Sequence, residues 1–291
     1  MMPSASFPQV ISHSDLDAVC GQYDGFILDL WGVLIDGYDA FPGAQNWLMR
    51  RVNEGKPVWF LSNASRDAAS MMDHLIELGI GREQFAGITT SGQLAIDAIN
   101  QEPELAHGGI YLTGPGEGQS NWPEHIRSRF VTDIQQASLI LGVGSFPQEE
   151  LALRQAPLKA FTHLPFLCAN PDRTVVSGGL PYYAAGKLAD YFTSLGGSVR
   201  WYGKPDPYAF FCAQRELATL GATKLLFVGD SLVTDVPGAV SANIDCLWLA
   251  STGIHREALA VAFNELPEQQ RLEHFLADYS IRPQYAAAGL V

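Results

Sequence analysis

Three apolar runs set the pattern of this chain: Phe26-Ile27-Leu28, Val58-Trp59-Phe60-Leu61 and Leu225-Leu226-Phe227-Val228. Each stops abruptly, at Asp29, at Ser62-Asn63 and, one glycine later, at Asp230. Unalternating runs of this length bounded by turn residues predict strands buried on both faces, as in a parallel sheet. Helical periodicity lies between them. Trp47, Leu48 and Val52 share one face of a helix predicted over 44–53, opened by Pro42 and closed by Gly55. Met71, Met72, Leu75, Ile76 and Leu78 mark a second, with Ser65 the expected N-cap and Gly79 the stop. A short leading helix runs through Cys20, with Ser14 its expected N-cap. Strand, helix, strand, helix opens a doubly wound, Rossmann-like α/β domain with a parallel sheet. Such sheets bind ligands at the carboxyl ends of their strands, so Asp29, Ser62 and Asp230 are expected to converge there.

The rhythm changes after about residue 85. Strand-like runs at 110–112, 139–143 and 166–169 alternate with helical stretches, but the loops lengthen and gain glycine and proline, as in Thr113-Gly114-Pro115-Gly116-Glu117-Gly118. From Lys187 the first rhythm resumes: a helix to Leu195, a strand over 199–202, Gly203-Lys204-Pro205, a helix around 209–220 and the strand ending at Asp230. The simplest organisation is a discontinuous core, 1–85 with 186–291, carrying an inserted α/β domain over 86–185. The apolar tail Tyr285-Ala286-Ala287-Ala288-Gly289-Leu290 is either a terminal edge element or a contact between two copies in a homodimer.

Composition narrows the partners. A formal net charge of −13 disfavours nucleic acid and anionic membranes, both of which need clustered cations. An anionic substrate then needs a local cation, from a metal or a specific lysine. Cys20, Cys168, Cys212 and Cys246 show no CxxC spacing and are expected to be reduced and mostly buried. With neither a signal-like leader nor a membrane-length apolar stretch, a cytoplasmic protein is expected.

The strand-ending polar residues suggest phosphoryl chemistry, which depends on positioning and charge stabilisation. An aspartate can attack phosphorus when a divalent cation offsets the repulsion between the two anions. Asp29 is the candidate nucleophile and metal ligand, with Asp230 a second carboxylate for magnesium. Asp235 precedes Val236-Pro237-Gly238-Ala239, where it could cap a helix and orient metal-bound water. Ser62, with the backbone N–H groups from Asn63 onward, offers a phosphate seat, and Lys204 supplies a fixed positive charge. Singly, each has a plainer reading as a cap, turn or solvated surface residue.

Together and in this order, the four segments resemble the haloacid dehalogenase-like phosphohydrolases. The closer resemblance is to their subclass with a large α/β cap, of the nitrophenylphosphatase and nucleotide phosphatase type. Asp29-Leu30-Trp31-Gly32-Val33 is similar to the first family motif, Leu61-Ser62-Asn63 to the second, Gly203-Lys204-Pro205 to the third, and Gly229-Asp230-Ser231 with Asp235 to the fourth. Ala169-Asn170-Pro171-Asp172 and the Gly178-Gly179 turn resemble cap-domain phrases. The resemblance implies an aspartyl phosphate on Asp29, phosphoryl oxygens held by Ser62 and Lys204, and Mg2+ bound by Asp29, Asp230 and the backbone carbonyl of Trp31. It puts substrate choice in the cap, where Asn170, Asp172 and the Tyr182-Tyr183 pair lie near the hinge or mouth. The tyrosines are more simply read as packing residues.

Trp31 departs from that pattern. The family's phosphatases have an aspartate there, which protonates the leaving group and later activates water; indole does neither. Three functions remain open: a magnesium phosphatase acting on a small phosphorylated metabolite, with Asp36 or a cap residue supplying the proton or a leaving group that needs none; a related phosphoryl transfer or carbon–phosphorus cleavage; and a catalytically silent phosphate-ester binding protein.

Overall fold

The computed structural model describes residues 7–114, 122–177 and 180–290. The chain divides into two compact units, Met1–Leu61 with Leu75–Ile88 and Phe210–Val291, and Ser62–His74 with Thr89–Ala209. The Gly178-Gly179 turn and most of the glycine-rich stretch after Gly114 fall outside the described residues.

The first unit is built on a seven-stranded sheet in the order Gln9–Val10, Tyr285–Ala287, Asp245–Leu249, Leu225–Gly229, Gly25–Leu28, Val58–Ser62, Gly87–Thr90. Gly25–Leu28 pairs in parallel with Leu225–Gly229 and with Val58–Ser62, and all its residues are buried. The unalternating apolar runs are therefore the centre of a parallel sheet. The helix over Ala44–Asn53 packs Trp47 edge-on against Phe26, with ring centroids 5.2 Å apart. Arg51 on that helix is fully buried and lies over both rings. Such a charge needs partners. Asp17 supplies one at 2.7 Å from the leading helix, and Glu54 another at 3.0 Å.

Several local expectations shift. The leading helix spans His13–Cys20 with Ser12, not Ser14, at its N-cap. Ala68–Glu77 is capped by Asp67, whose carboxylate accepts the Ser70 N–H at 2.7 Å, while Ser65 accepts the Gly144 N–H. The apolar tail is not an edge. Tyr285–Ala287 pairs on one side with Asp245–Leu249 and on the other with Gln9–Val10, which forms the sheet margin. Among the described residues no helix is long and apolar enough to cross a membrane.

The second unit carries a five-stranded parallel sheet, ordered Val199–Trp201, Phe166–Cys168, Ala137–Gly142, Gly109–Leu112, Phe130–Val131. Its side chains alternate between two cores. Leu139, Leu141 and Leu167 join Ile96, Ile99 and Ile126 on one face, while Ile140, Phe166 and Cys168 join Leu188 and Phe192 on the other. A smaller antiparallel sheet pairs Thr174–Ser177 with Leu180–Ala184, and the latter with Ser145–Phe146. There Tyr183 meets Phe146 edge-on and lies beneath the Lys187 ammonium, which fits a packing role. The cysteines are free, and burial pushes the thiols of Cys20 and Cys168 up to about 11 and about 12.

Candidate active site

Asp29 follows the central strand Gly25–Leu28 and donates its N–H to Val228 O at 2.9 Å, which aligns it with the end of Leu225–Gly229. Asp230 follows that neighbouring strand, and Asp235 opens the helix Asp235–Ser241. Oxygens of the three carboxylates lie within 4.8 Å of one another. All three residues are buried, with exposures of 8%, 4% and 0%.

Backbone groups orient two of them. Asp235 Oδ2 accepts the N–H groups of Asp230 and Ser231, each at 3.0 Å, closing the loop between strand and helix. Asp230 Oδ2 accepts the Ile254 N–H at 2.7 Å, and the Trp248 indole donates to Asp230 O at 2.7 Å. Two glycines make room for that carboxylate. A Cβ at Gly32, where φ is +75°, or at Gly253 would collide with Asp230. Thr252 Oγ1 donates to Gly32 O at 2.5 Å, joining the two segments.

His255 completes the loop's support. Its Nε2 accepts the Leu232 N–H at 3.0 Å, so the ring is neutral there, and its faces meet Trp248, Phe275 and Tyr279. Burial pushes its pKa down to about 4, against the opposing pull of Asp235. The spacing of the histidines gave no sign of this. Only the strand order places residues 252–255 beside the 230–235 loop.

The donor set is entirely oxygen and carries like charges at close range, an arrangement that favours a hard divalent cation such as magnesium. Asp29 and Asp230 fit as its ligands, and Asp235 as the residue that fixes the Asp230 loop. Trp31 is partly buried and makes a bridge to Ile35 in the turn after Asp29. Asp36 is exposed and caps that turn, accepting the N–H groups of Tyr38 and Asp39, each at 2.9 Å.

The remaining candidates gather in the second unit. Ser62, Asn63 and Lys204 are all buried there. Ser62 Oγ accepts the Ala64 N–H at 3.2 Å. Asn63 Nδ2 donates to Asp172 Oδ1 at 2.9 Å and to Lys204 O at 3.1 Å, while its Oδ1 accepts the Lys204 N–H at 2.8 Å. Asn170 Oδ1 accepts the Asp172 N–H, and its amide donates to Gly144 O. The structure thus brings Asp29, Asp230 and Asp235 together in one unit, and Asn63, Lys204, Asp172 and Asn170 in the other.

Carboxylates gathered where strands of a doubly wound parallel sheet end mark an α/β protein with its polar cluster at the carboxyl edge of the sheet. Comparison with known proteins narrows the class. A family model described as haloacid dehalogenase-like hydrolase matches residues 26–122, and a second, HAD-hydrolase-like model matches residues 201–278, together more than half of the chain. Mouse Chronophin is 29% identical over 242 residues, covering 75% of this chain and 77% of that protein. The 5'-nucleotidase YutF of Bacillus subtilis is 26% identical over 237 residues, covering 80% and 88%. A haloacid dehalogenase-like hydrolase from Brucella suis superposes with a TM-score of 0.76 at 25% identity, covering 98% of this chain and 100% of that one. The chain belongs to the haloacid dehalogenase-like hydrolases and is a hydrolase of their phosphatase type.

Proposed function

We propose that the protein hydrolyses a small phosphate monoester, such as a nucleotide or a sugar phosphate, through an aspartyl phosphate on Asp29 with magnesium as cofactor. The observation that carries this reading is the clustering of Asp29, Asp230 and Asp235 within 4.8 Å at the carboxyl ends of adjacent strands. The nucleotidase among its relatives supports the substrate class. Asp29, Asp230 and the Trp31 carbonyl would hold magnesium, which would supply charge neutralisation for the incoming phosphoryl group. Asp29 attacks phosphorus, and the P–O bond to the leaving group breaks as the Asp29 Oδ–P bond forms. Ser62, the Asn63 N–H and Lys204 hold the phosphoryl oxygens, and Asp235 keeps the Asp230 loop in place. Water then attacks phosphorus, restoring Asp29 and releasing inorganic phosphate. The inserted domain selects the substrate, with Asn170 and Asp172 contributing; its sheet and core run past residue 185, through Leu188 and Phe192 to Val199–Trp201.

Trp31 shapes the kinetics of this reaction. General acid–base help is worth about 10²–10⁴-fold, and indole supplies none. Esters with acidic leaving groups should therefore react best, and breakdown of the phosphoenzyme should limit turnover. The same residue favours a second reading, in which the phosphoryl group passes to an acceptor other than water. The test is phosphate release from a panel of esters, including an activated aryl phosphate, with and without Mg2+. Asp29→Asn is expected to lose at least about 10⁴-fold in rate. Turnover that survives Asp29→Asn would refute the assignment.

A further inference from the structure

Ser91 belongs to none of the four motif segments, yet it lies at the centre of the polar network around Lys204. It is fully buried at the first position of the helix Ser91–Gln101. Its hydroxyl donates to Asn63 Oδ1 at 3.2 Å. That bond completes the Asn63 amide: two N–H donors reach Asp172 Oδ1 and Lys204 O, and two acceptor sites take the Lys204 N–H and the Ser91 hydroxyl. Asn63 therefore grips both backbone groups of Lys204, and its own orientation is fixed from two sides, by Asp172 and by Ser91. Gly203 closes the assembly. Its φ is +117°, and a Cβ there would collide with Ser91 Oγ and Asn63 Oδ1. Contact this close leaves Gly203-Lys204 no room to shift toward the network.

We infer that Ser91 is a positioning residue for Lys204, acting through the Asn63 side chain to set where the Lys204 ammonium is delivered. The inference rests on Lys204 being the phosphate-holding cation of the proposed reaction. Alanine at 91 removes the donor and frees Asn63 to rotate about its side-chain bonds. The grip on Lys204 then loosens without loss of any charged group. Loss of one such hydrogen bond corresponds to a few-fold change in affinity.

The probe is inorganic phosphate titrated into the full-length, Mg2+-loaded protein by calorimetry, alongside thermal unfolding. Ser91→Ala is expected to weaken phosphate binding about 3- to 10-fold while the unfolding midpoint stays within a few degrees. Lys204→Ala is expected to weaken it further, and adding Ser91→Ala to Lys204→Ala should change nothing more, because the two residues act in series. A purely structural serine would weaken binding in both backgrounds. Asp172→Asn, which touches the other end of the Asn63 amide, serves if Ser91→Ala does not fold, and the same non-additivity with Lys204→Ala is expected. Unchanged phosphate affinity in Ser91→Ala, equal losses in both backgrounds, or no phosphate binding by the unsubstituted protein would each overturn the inference. Phosphate binding with the expected pattern but no ester turnover would refute the proposed function and leave this assignment standing.

Discussion

The carboxylate cluster of the first unit and the Asn63 network of the second solve opposite problems. Around Asn63, donors and acceptors match: four hydrogen bonds fill the amide, two of them to the backbone of Lys204. Around Asp29, three acidic side chains are buried with carboxylate oxygens within 4.8 Å of one another, so acceptors crowd together. The protein holds that arrangement by fixing it from behind, with backbone N–H groups on Asp230 and Asp235, the Trp248 indole on the Asp230 carbonyl and neutral His255 on the Leu232 N–H. One region is complete as folded. The other gathers like charges, the arrangement that the proposed reaction would use to hold a cation.

Substituting Trp31 tests the reactive side of this contrast most strongly. If indole at that position removes general acid–base help, Trp31→Asp should raise the rate of phosphate release by about 10²-fold or more. The gain should be largest for esters with poor leaving groups. An unchanged rate in a folded variant would mean that another group already moves the proton.

The supporting side is sharpened by acid. His255 has a pKa of about 4 in the fold against the ordinary 6.5. Above about pH 6.5 the ring is neutral in both folded and unfolded chains, so the depressed pKa has no effect on stability. As pH falls through the window from 6.5 to 4, the unfolded chain takes up a proton that the fold refuses, and stability drops. Between about pH 7.5 and about pH 5 the loss from this residue is about 2 kcal/mol. Denaturant unfolding of His255→Gln, which keeps an acceptor for the Leu232 N–H, should show a correspondingly flatter dependence. Identical slopes would remove the histidine from the account.

Cation binding is expected to give an effect of similar size. A cation that binds only the fold at 100 times its dissociation constant stabilises by about 2.7 kcal/mol. For a chain this long that moves the unfolding midpoint by several degrees. Asp230→Asn should abolish the shift, while Ser91→Ala should leave it intact, separating the two regions. Equal shifts in all three proteins would place the cation elsewhere.

Much of this was legible in the sequence, for a definite reason. Buried parallel strands leave unalternating apolar runs, and the residue ending each run falls at the functional edge, so Asp29 and Asp230 can be read from hydropathy alone. Caps were harder. Ser12 and Asp67 compete with Ser14 and Ser65 within a few residues, and only the helix geometry decides between them. The tail was misjudged as an edge because its outer partner, Gln9–Val10, is two exposed residues long and carries no strand signal. Contacts across long separations were invisible. Ile254 reaches Asp230 over 24 residues and Asn63 reaches Lys204 over 141, so neither the glycine cradle nor Ser91 leaves a local trace.

The central claim is that Asp29 becomes covalently phosphorylated. The direct measurement is mass spectrometry of acid-quenched protein after brief exposure to Mg2+ and an activated aryl phosphate, with peptide mapping of the modified residue. The account predicts one phosphoryl group, on the peptide containing Asp29, prolonged by Trp31 and absent from Asp29→Asn. Turnover without any covalent adduct, or an adduct on another residue that persists in Asp29→Asn, would contradict it.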